Sequence, residues 1–485
     1  MVHALELEEI RWRIGLFLSS QDLVACSQVC HSWYSTFWLM QWHHITVDRT
    51  KANARTPPIQ TLGEHASLIR SLHFKGSLPR ELVPFLLNNL QSGQMNPLVS
   101  LSLFNATIPD GKPNYWSLVV QLVTLSSSTL RELSILDSES FVSQSLLKQL
   151  FMSHQRENDM PCKIQMRALR YLTLSLDCLI DFETWSMMLE VLRPLESVEL
   201  KNIRLANSAT QQLEPIFNSG RKKLGLTATL DHQRPTQDQP MYPYLRWLKL
   251  EYLAGISSRA CIQVLVAQCP SLRGLYWTIH KNQGFAAREF YDHLKAGAWP
   301  RLETLEIYGK RTDFPDHLLA AILHLDSTGA GKQVSFKKLC VPGSMFGSMA
   351  MMALLSPTRG HTKTLRELDL FGCNQVSSRM VRDILASCPC LEVFSADSID
   401  FEDVARGDPW VCTGLSSLTI FIECEYSLRS RWPWWRCERR EWKTLIRHDT
   451  SRWTEQETED HWHVFDRLSA LEKLASVKCI HSYST

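Results

Sequence analysis

The sequence predicts an α/β protein in which three short N-terminal helices precede a long array of repeated strand and helix units. Three observations carry that prediction. Residues 7 to 45 place apolar side chains at helical spacing in a segment too short to bury a sizeable core of its own. From Ile69 onward one pattern recurs: an apolar residue, two variable ones, an apolar residue, one variable and a third apolar. Between these triplets the apolar period changes from that of a strand to that of a helix.

Leu7, Ile10, Ile14 and Leu18 are separated by steps of three and four, which places them on one face of a first helix. Ser19 or Ser20 is positioned to cap the next segment, where Leu23, Cys26, Val29, Cys30, Trp33 and Phe37 keep helical spacing before Trp42 and Ile45. This stripe is wider than three short helices can cover, so its apolar surplus points to a docking partner. The phrases Leu7-Glu8-Glu9-Ile10, Asp22-Leu23-Val24, Val29-Cys30-His31-Ser32-Trp33 and the closing Trp42 resemble the F-box, the adaptor-docking module of modular ubiquitin ligases. The resemblance covers about 40 residues, and Val-Cys-x-x-Trp after an Asp-Leu pair is its most specific element. Where that family usually opens with Leu-Pro, this chain has Leu7-Glu8, an acid that suits the positive end of a helix dipole. The resemblance implies that Leu7, Ile10, Leu23, Val29, Cys30, Trp33 and Trp42 dock a Skp-family adaptor, with some of them holding the three helices together instead. Glu6, Glu8 and Glu9 stand where a secretory signal needs a basic start and an apolar run, so the N-terminus is expected to be retained.

A polar connector around Arg49 to Pro58 leads into the repeats. Triplets fall at Ile69-Leu72-Phe74, Leu98-Leu101-Leu103, Leu130-Leu133-Ile135, Leu169-Leu172-Leu174, Leu195-Val198-Leu200 and Leu245-Leu248-Leu250. They continue at Leu272-Leu275-Trp277, Leu302-Leu305-Ile307, Phe336-Leu339-Val341, Leu365-Leu368-Leu370, Leu391-Phe394-Ala396 and Leu415-Leu418-Ile420, with a worn copy at Leu471-Leu474. This is the leucine-rich repeat signature, whose period is roughly 20 to 29 residues. After Leu370, Ser377-Ser378 supplies a cap, Met380, Val381, Ile384 and Leu385 form a helical face, and Cys388-Pro389 ends it. The phrases around Cys373 and Cys269 resemble the cysteine-containing repeats that often follow an F-box, which makes Cys269, Cys373 and Cys388 packing residues at turns. Stacked units make a solenoid with a curved parallel sheet inside and helices outside. The expected organisation is an adaptor-docking domain over 1–46, a connector over 47–66 and a solenoid over 67–485, with insertions near 220–243 and 426–464.

With 52 Lys and Arg against 50 Asp and Glu, the balance gives no reason to expect nucleic acid or an anionic membrane as the main partner. No apolar run approaches the ~18 residues of a membrane span. Fourteen Cys without a short disulfide framework fit a reducing compartment, cytoplasm or nucleus.

Catalytic signatures fail on spacing. Gly329-Ala330-Gly331-Lys332 lacks the upstream Gly of a phosphate loop, with Asp326 in its place, and Gln333 stands where Ser or Thr would bind magnesium. His43-His44 and His461-x-His463 have no Cys or acidic companion at zinc-site spacing, and Cys388-Pro389-Cys390 lacks the two-residue spacer of a redox pair. The run Arg431, Trp432, Trp434, Trp435, Arg436 and Trp442 mixes bases with aromatics, but Glu438, Glu441 and later acids neutralise it, which favours packing or protein contact over nucleic acid. Arg221-Lys222-Lys223 reads as a solvated loop.

Strand alternation turns Trp247, Lys249, Tyr276, Glu306, Tyr308, Asp369 and Phe371 away from the core, on four repeats of which three are consecutive. They are the expected substrate-binding residues. The chain is therefore expected to be a non-catalytic substrate receptor that docks a Skp-family adaptor, and through it a cullin, while the repeats hold a target protein; no metal or cofactor is expected. By the resemblance, catalysis belongs to a ring-type subunit and the conjugating enzyme it recruits, and this chain contributes proximity. A structural scaffold acting without a ligase is the alternative expectation.

Overall fold

The computed structural model describes residues 7–15, 17–50, 59–76, 80–105, 114–138, 144–151, 166–206, 241–279, 284–309, 314–325, 335–358 and 360–423, with short pieces at 456, 459–460, 463–464, 466–467 and 476–478. The chain divides into two compact units, Met1–Leu245 with Leu253–Gly255, and Arg246–Tyr252 with Ile256–Thr485.

The first unit opens with helices α1 (Glu8–Gly15), α2 (Ser20–Ser27) and α3 (His31–His43). Glu8 and Glu9 sit in the first turn of α1, where the helix dipole favours them. Of the two candidate serines, Ser19 is the cap of α2: its hydroxyl accepts from the Asp22 backbone N–H, and the Asp22 carboxylate accepts in return from the Ser19 backbone N–H at 3.2 Å. Leu23, Phe37 and Met40 form the core of the three helices, with Trp12, Leu18, Cys26 and Trp33 packed on it. Contrary to a continuous apolar face from Leu7 to Leu18, α1 stops at Gly15 and buries Arg11 and Gly15. The reason is a close crossing: a Cβ at Gly15 would overlap the Met40 thioether, and the buried Arg11 donates from Nε to the Thr36 hydroxyl at 3.1 Å.

Six strands follow in this unit among the described residues: β1 (His44–Asp48), β2 (Ser71–Lys75), β3 (Ser100–Phe104), β4 (Glu132–Ser138), β5 (Tyr171–Ile180) and β6 (Ser197–Leu205). Each is parallel to its sequence neighbours, with Ile45 opposite Leu72, then Leu101, Leu133, Leu172 and Val198 in register. These middle residues of the triplets and the third ones, such as Phe74, Leu103 and Leu174, are almost completely buried. Helices Leu82–Gln91, Asn114–Leu125, Gln144–Phe151 and Phe182–Val191 return the chain between strands, as right-handed parallel connections require. Strand β1 was not among the expected triplets.

The second unit repeats the scheme with β7 (Trp247–Glu251), β8 (Gly274–Thr278), β9 (Thr304–Tyr308), β10 (Lys338–Cys340), β11 (Glu367–Asp369), β12 (Val393–Asp400), β13 (Ser417–Glu423) and β14 (Ser476–Lys478). All are parallel, and Leu248, Leu275, Leu305, Leu339, Leu368, Phe394 and Leu418 are in register. Val477 pairs with Leu418, so the last strand lies three residues beyond the frame expected from Leu471-Leu474, a pair outside the described residues. The helix Ser378–Ser387 is capped by the Ser377 hydroxyl and buries Met380, Val381, Ile384 and Leu385. Consecutive helices are tied together: the Asp316 carboxylate accepts from the backbone N–H groups of Gly347, Met349 and Ala350 at 2.9, 3.0 and 2.8 Å, capping the helix Ser348–Leu355 from its neighbour Asp316–His324. Buried His361 bridges two further segments, with Nε2 at 2.9 Å from the Leu323 carbonyl and Nδ1 accepting from the Phe336 N–H at 3.3 Å.

Cys269, Cys373 and Cys388 are buried, and the Cys269 thiol donates to the Leu265 carbonyl at 3.1 Å. Burial pushes Cys388 up to about 12, which keeps it a protonated packing residue. One turn conformation recurs just after the strands. Gly76, Asn105 and Tyr252 each follow a strand with positive φ, and their backbone N–H groups donate to Phe104, Leu136 and Thr278 carbonyls. Glycine and asparagine accept that conformation readily; an exposed tyrosine there is unusual.

Candidate interaction surfaces

The three N-terminal helices divide the expected adaptor-binding residues into two groups. Leu23 is in the helical core and Trp33 packs on it, half-buried. Trp42 is half-buried too, its ring 4.1 Å from that of His65 and set edge-on to Trp38. Ile10 is half-buried, whereas Leu7, Val29 and Cys30 are exposed, Val29 at 62%. Ile14, placed by periodicity on the first helical face, is exposed as well, and periodicity did not single out three further exposed apolar side chains in this segment, Phe17, Val24 and Tyr34, with Phe17 at 89%. Phe17 follows the end of α1, where the turn is closed by its own N–H to Ile14 and that of Leu18 to Gly15. An apolar residue at a helix end was the available signal. Cys30 lies at the start of α3, and the Ser32 hydroxyl 3.3 Å away, aided by the Trp33 backbone N–H, lowers its thiol pKa.

In the second unit, pairing sets the expected substrate-binding residues on neighbouring strands. Trp247 is opposite Gly274, Lys249 opposite Tyr276, Tyr276 opposite Glu306 and Thr278 opposite Tyr308. The Trp247 side chain is 48% exposed, and its indole lies over Gly274, where a Cβ would overlap it. Lys249 pairs with Glu251 at 2.9 Å and holds its ammonium 5.0 Å from the Tyr276 ring centroid. The rings of Tyr276 and Tyr308 are 5.2 Å apart, and the Tyr308 hydroxyl donates to Glu306 at 3.2 Å.

Lys338, which sequence reading did not select, completes this row. Its ammonium stands 3.2 Å from Glu306 and 2.6 Å from Glu367. Burial works against that charge, but the two carboxylates outweigh it and keep the pKa raised. The missed signal was its place, one residue before Leu339, where alternation exposes it. Asp369 is half-buried, and its carboxyl is raised by burial despite the Phe371 N–H that donates to it at 3.1 Å. Phe371 lies beyond the end of β11, in the following turn, so strand alternation does not orient it; its ring stacks 6.2 Å from that of Phe421.

Among the described residues, no group of three His, Cys, Asp or Glu is arranged to hold a metal, and no helix is long and apolar enough to cross a membrane. Gly329–Lys332, Arg221–Lys223 and the Trp- and Arg-rich run at 431–442 lie outside the described residues.

The fold defines an α/β protein built of repeated parallel strand and helix units, preceded by three short helices. No family model matches the chain, and no curated protein does. Among solved structures, one chain of the crystal structure of the Rad7 and Elc1 complex in yeast is similar at 12% identity, with 88% of this chain and 91% of that chain covered and a TM-score of 0.42.

Proposed function

We propose that the chain is a non-catalytic substrate-receptor subunit of a Skp–cullin–F-box ubiquitin ligase. Its N-terminal helices dock a Skp-family adaptor, and the strand face of the second unit recruits a protein to be modified. The observation that carries this reading is the exposed apolar set on the first two F-box-like helices and the turns beside them, Leu7, Ile14, Phe17, Val24 and Val29, which the small core of the segment leaves uncovered. Leucine-rich repeats joined to such a module supply a surface for a second partner, and the chain's contribution to the chemistry is proximity. Among the described residues no disulfide joins the cysteines, most of which are buried, and this supports action in the reducing cytoplasm or nucleus.

Affinity capture of the full chain from cells, probed for a Skp-family adaptor and a cullin, tests the reading. Wild type is expected to retain both, and Phe17→Glu with Val29→Glu to lose both while its circular dichroism is unchanged. Absence of the adaptor from the wild-type capture overturns it in favour of a scaffold acting without a ligase.

A further inference from the structure

We infer that the exposed strand face of the second unit binds a cationic peptide segment, rich in arginine or lysine, of a partner protein; this deepens, and rests on, the reading of the chain as a receptor for protein targets. Acids outnumber bases on the strands of this face. Between β7 and β11 it carries the carboxylates of Glu306, Glu367 and Asp369, with Glu251 buried beside Lys249, against the ammonium groups of Lys249 and Lys338. Asp397, beside Asp369, adds to the surplus.

The two resident lysines display the chemistry on offer to a cation. Lys249 combines a carboxylate with an aromatic face, and Lys338 sits between two carboxylates. Four carboxylates against two ammonium groups leave a formal surplus of negative charge on these strands. The Tyr308 hydroxyl is held protonated by burial, then by Cys340, and after it by Glu306 and Asp369; burial and then Glu306 and Asp369 do the same for the Cys340 thiol, and Asp369 itself is pushed up by burial and by Asp397. An incoming guanidinium relieves that strain. An anionic or wholly apolar segment desolvates the carboxylates without adding a cation, and the phosphates of a nucleic acid are repelled.

Geometry narrows the occupant further. Strands stand ~4.8 Å apart, so Glu306 on β9 and Asp369 on β11 are separated by about 10 Å, close to one turn of a polyproline II segment, three residues at ~3.1 Å each, which returns every third side chain to the same face. Cations three residues apart therefore match the two sites. Trp247, and Tyr252 at positive φ, offer exposed rings at β7 for stacking with a guanidinium or apolar side chain.

Fluorescence anisotropy with the full chain tests the inference, using fluorescein-labelled twelve-residue Gly-Ser peptides that carry Arg, Glu or Leu at every third position. The Arg peptide is expected to bind at least about tenfold more tightly than the other two, with affinity falling as salt rises. Glu306→Gln with Asp369→Asn should weaken it about tenfold, and Lys338→Ala, which releases two carboxylates, should tighten it severalfold. Because that last change runs opposite to the effect of misfolding, it separates lost binding from lost structure. Glu289→Gln with Asp292→Asn, on the helix Ala287–Lys295, should change nothing. Equal binding of the three peptides, or an equal loss in the Glu289 and Asp292 variant, overturns the inference. Adaptor capture measured on the same preparations separates the two readings: adaptor bound without an Arg preference sinks only the peptide, and an Arg preference without adaptor sinks only the ligase.

Discussion

Trp247 and Gly274 face each other across β7 and β8, and the indole lies so close over the glycine that a Cβ there would overlap its six-membered ring. The absence of a side chain on one strand is what allows a large, half-exposed ring to rest on it.

Gly274→Ala should therefore displace the indole with little effect on the fold. The ring has solvent beside it to move into, so the expected cost is about 1 kcal/mol or less, the low end of overpacking. Urea denaturation gives the cost, and the indole N–H resonance assigned by Trp247→Phe reports the displacement. A cost above about 3 kcal/mol would show the ring to be wedged in place.

Leu23 in α2 and Val29 in the turn that follows it have opposite burial, and truncating each should separate packing from docking. Leu23→Ala removes a core side chain and should destabilise the three helices by about 2 to 5 kcal/mol, while Val29→Ala should leave their stability within about 0.5 kcal/mol. Amide hydrogen exchange over residues 7 to 43 measures both. Equal protection in the two variants contradicts the assignment of Leu23 to the core.

His361→Ala should cost about 2 to 4 kcal/mol in the second unit, since it opens a cavity and leaves the Leu323 carbonyl and Phe336 N–H without their side-chain partner. Faster amide exchange at Phe336 than at the strand β7 is the local signature. Unchanged exchange there would assign the histidine no bridging role.

Asp181 supplies a pH dependence with a definite sign. Burial pushes its carboxyl up, but the hydroxyl and backbone N–H of Thr184 and the ammonium of Lys148 outweigh it and bring the pKa down to about 2. A carboxylate lowered on folding adds stability above its unfolded pKa near 3.8, and that contribution is lost as pH falls from there through about 2. Asp181→Asn keeps the helix cap but loses the charge. The difference between wild type and this variant should be present at pH 5 and vanish toward pH 2, read by urea denaturation at each pH; solvent around the pair keeps it small.

Strand positions were legible because the buried residues of each repeat recur at fixed local spacing, as Leu72 with Phe74 and Leu305 with Ile307 illustrate. Strand β1 obeys the same spacing at Trp42, Ile45 and Val47, but the helical reading ends on Trp42 and Ile45, and Val47 falls in the expected connector. At β14 the frame slipped because two leucines, Leu471 and Leu474, outweigh the Val477 that pairs with Leu418. Docking and packing residues could not be told apart in the N-terminal helices. Helical period fixes which side chains share a face, whereas which face meets the neighbours depends on contacts such as Gly15 with Met40. Likewise, alternation revealed that Lys249, Tyr276 and Glu306 are outward-facing, but the cation over the ring and the bridge through Lys338 depend on register between residues far apart in sequence.

The three backbone bonds to Asp316 bear on where this protein can be divided. A shortened version that begins after residue 316 leaves the amides of Gly347, Met349 and Ala350 with no acceptor, at the start of a helix whose own residues provide no side-chain cap. This repeat thus finishes the one after it, and fragments for crystallisation or display should keep residues 316 and 350 in the same piece.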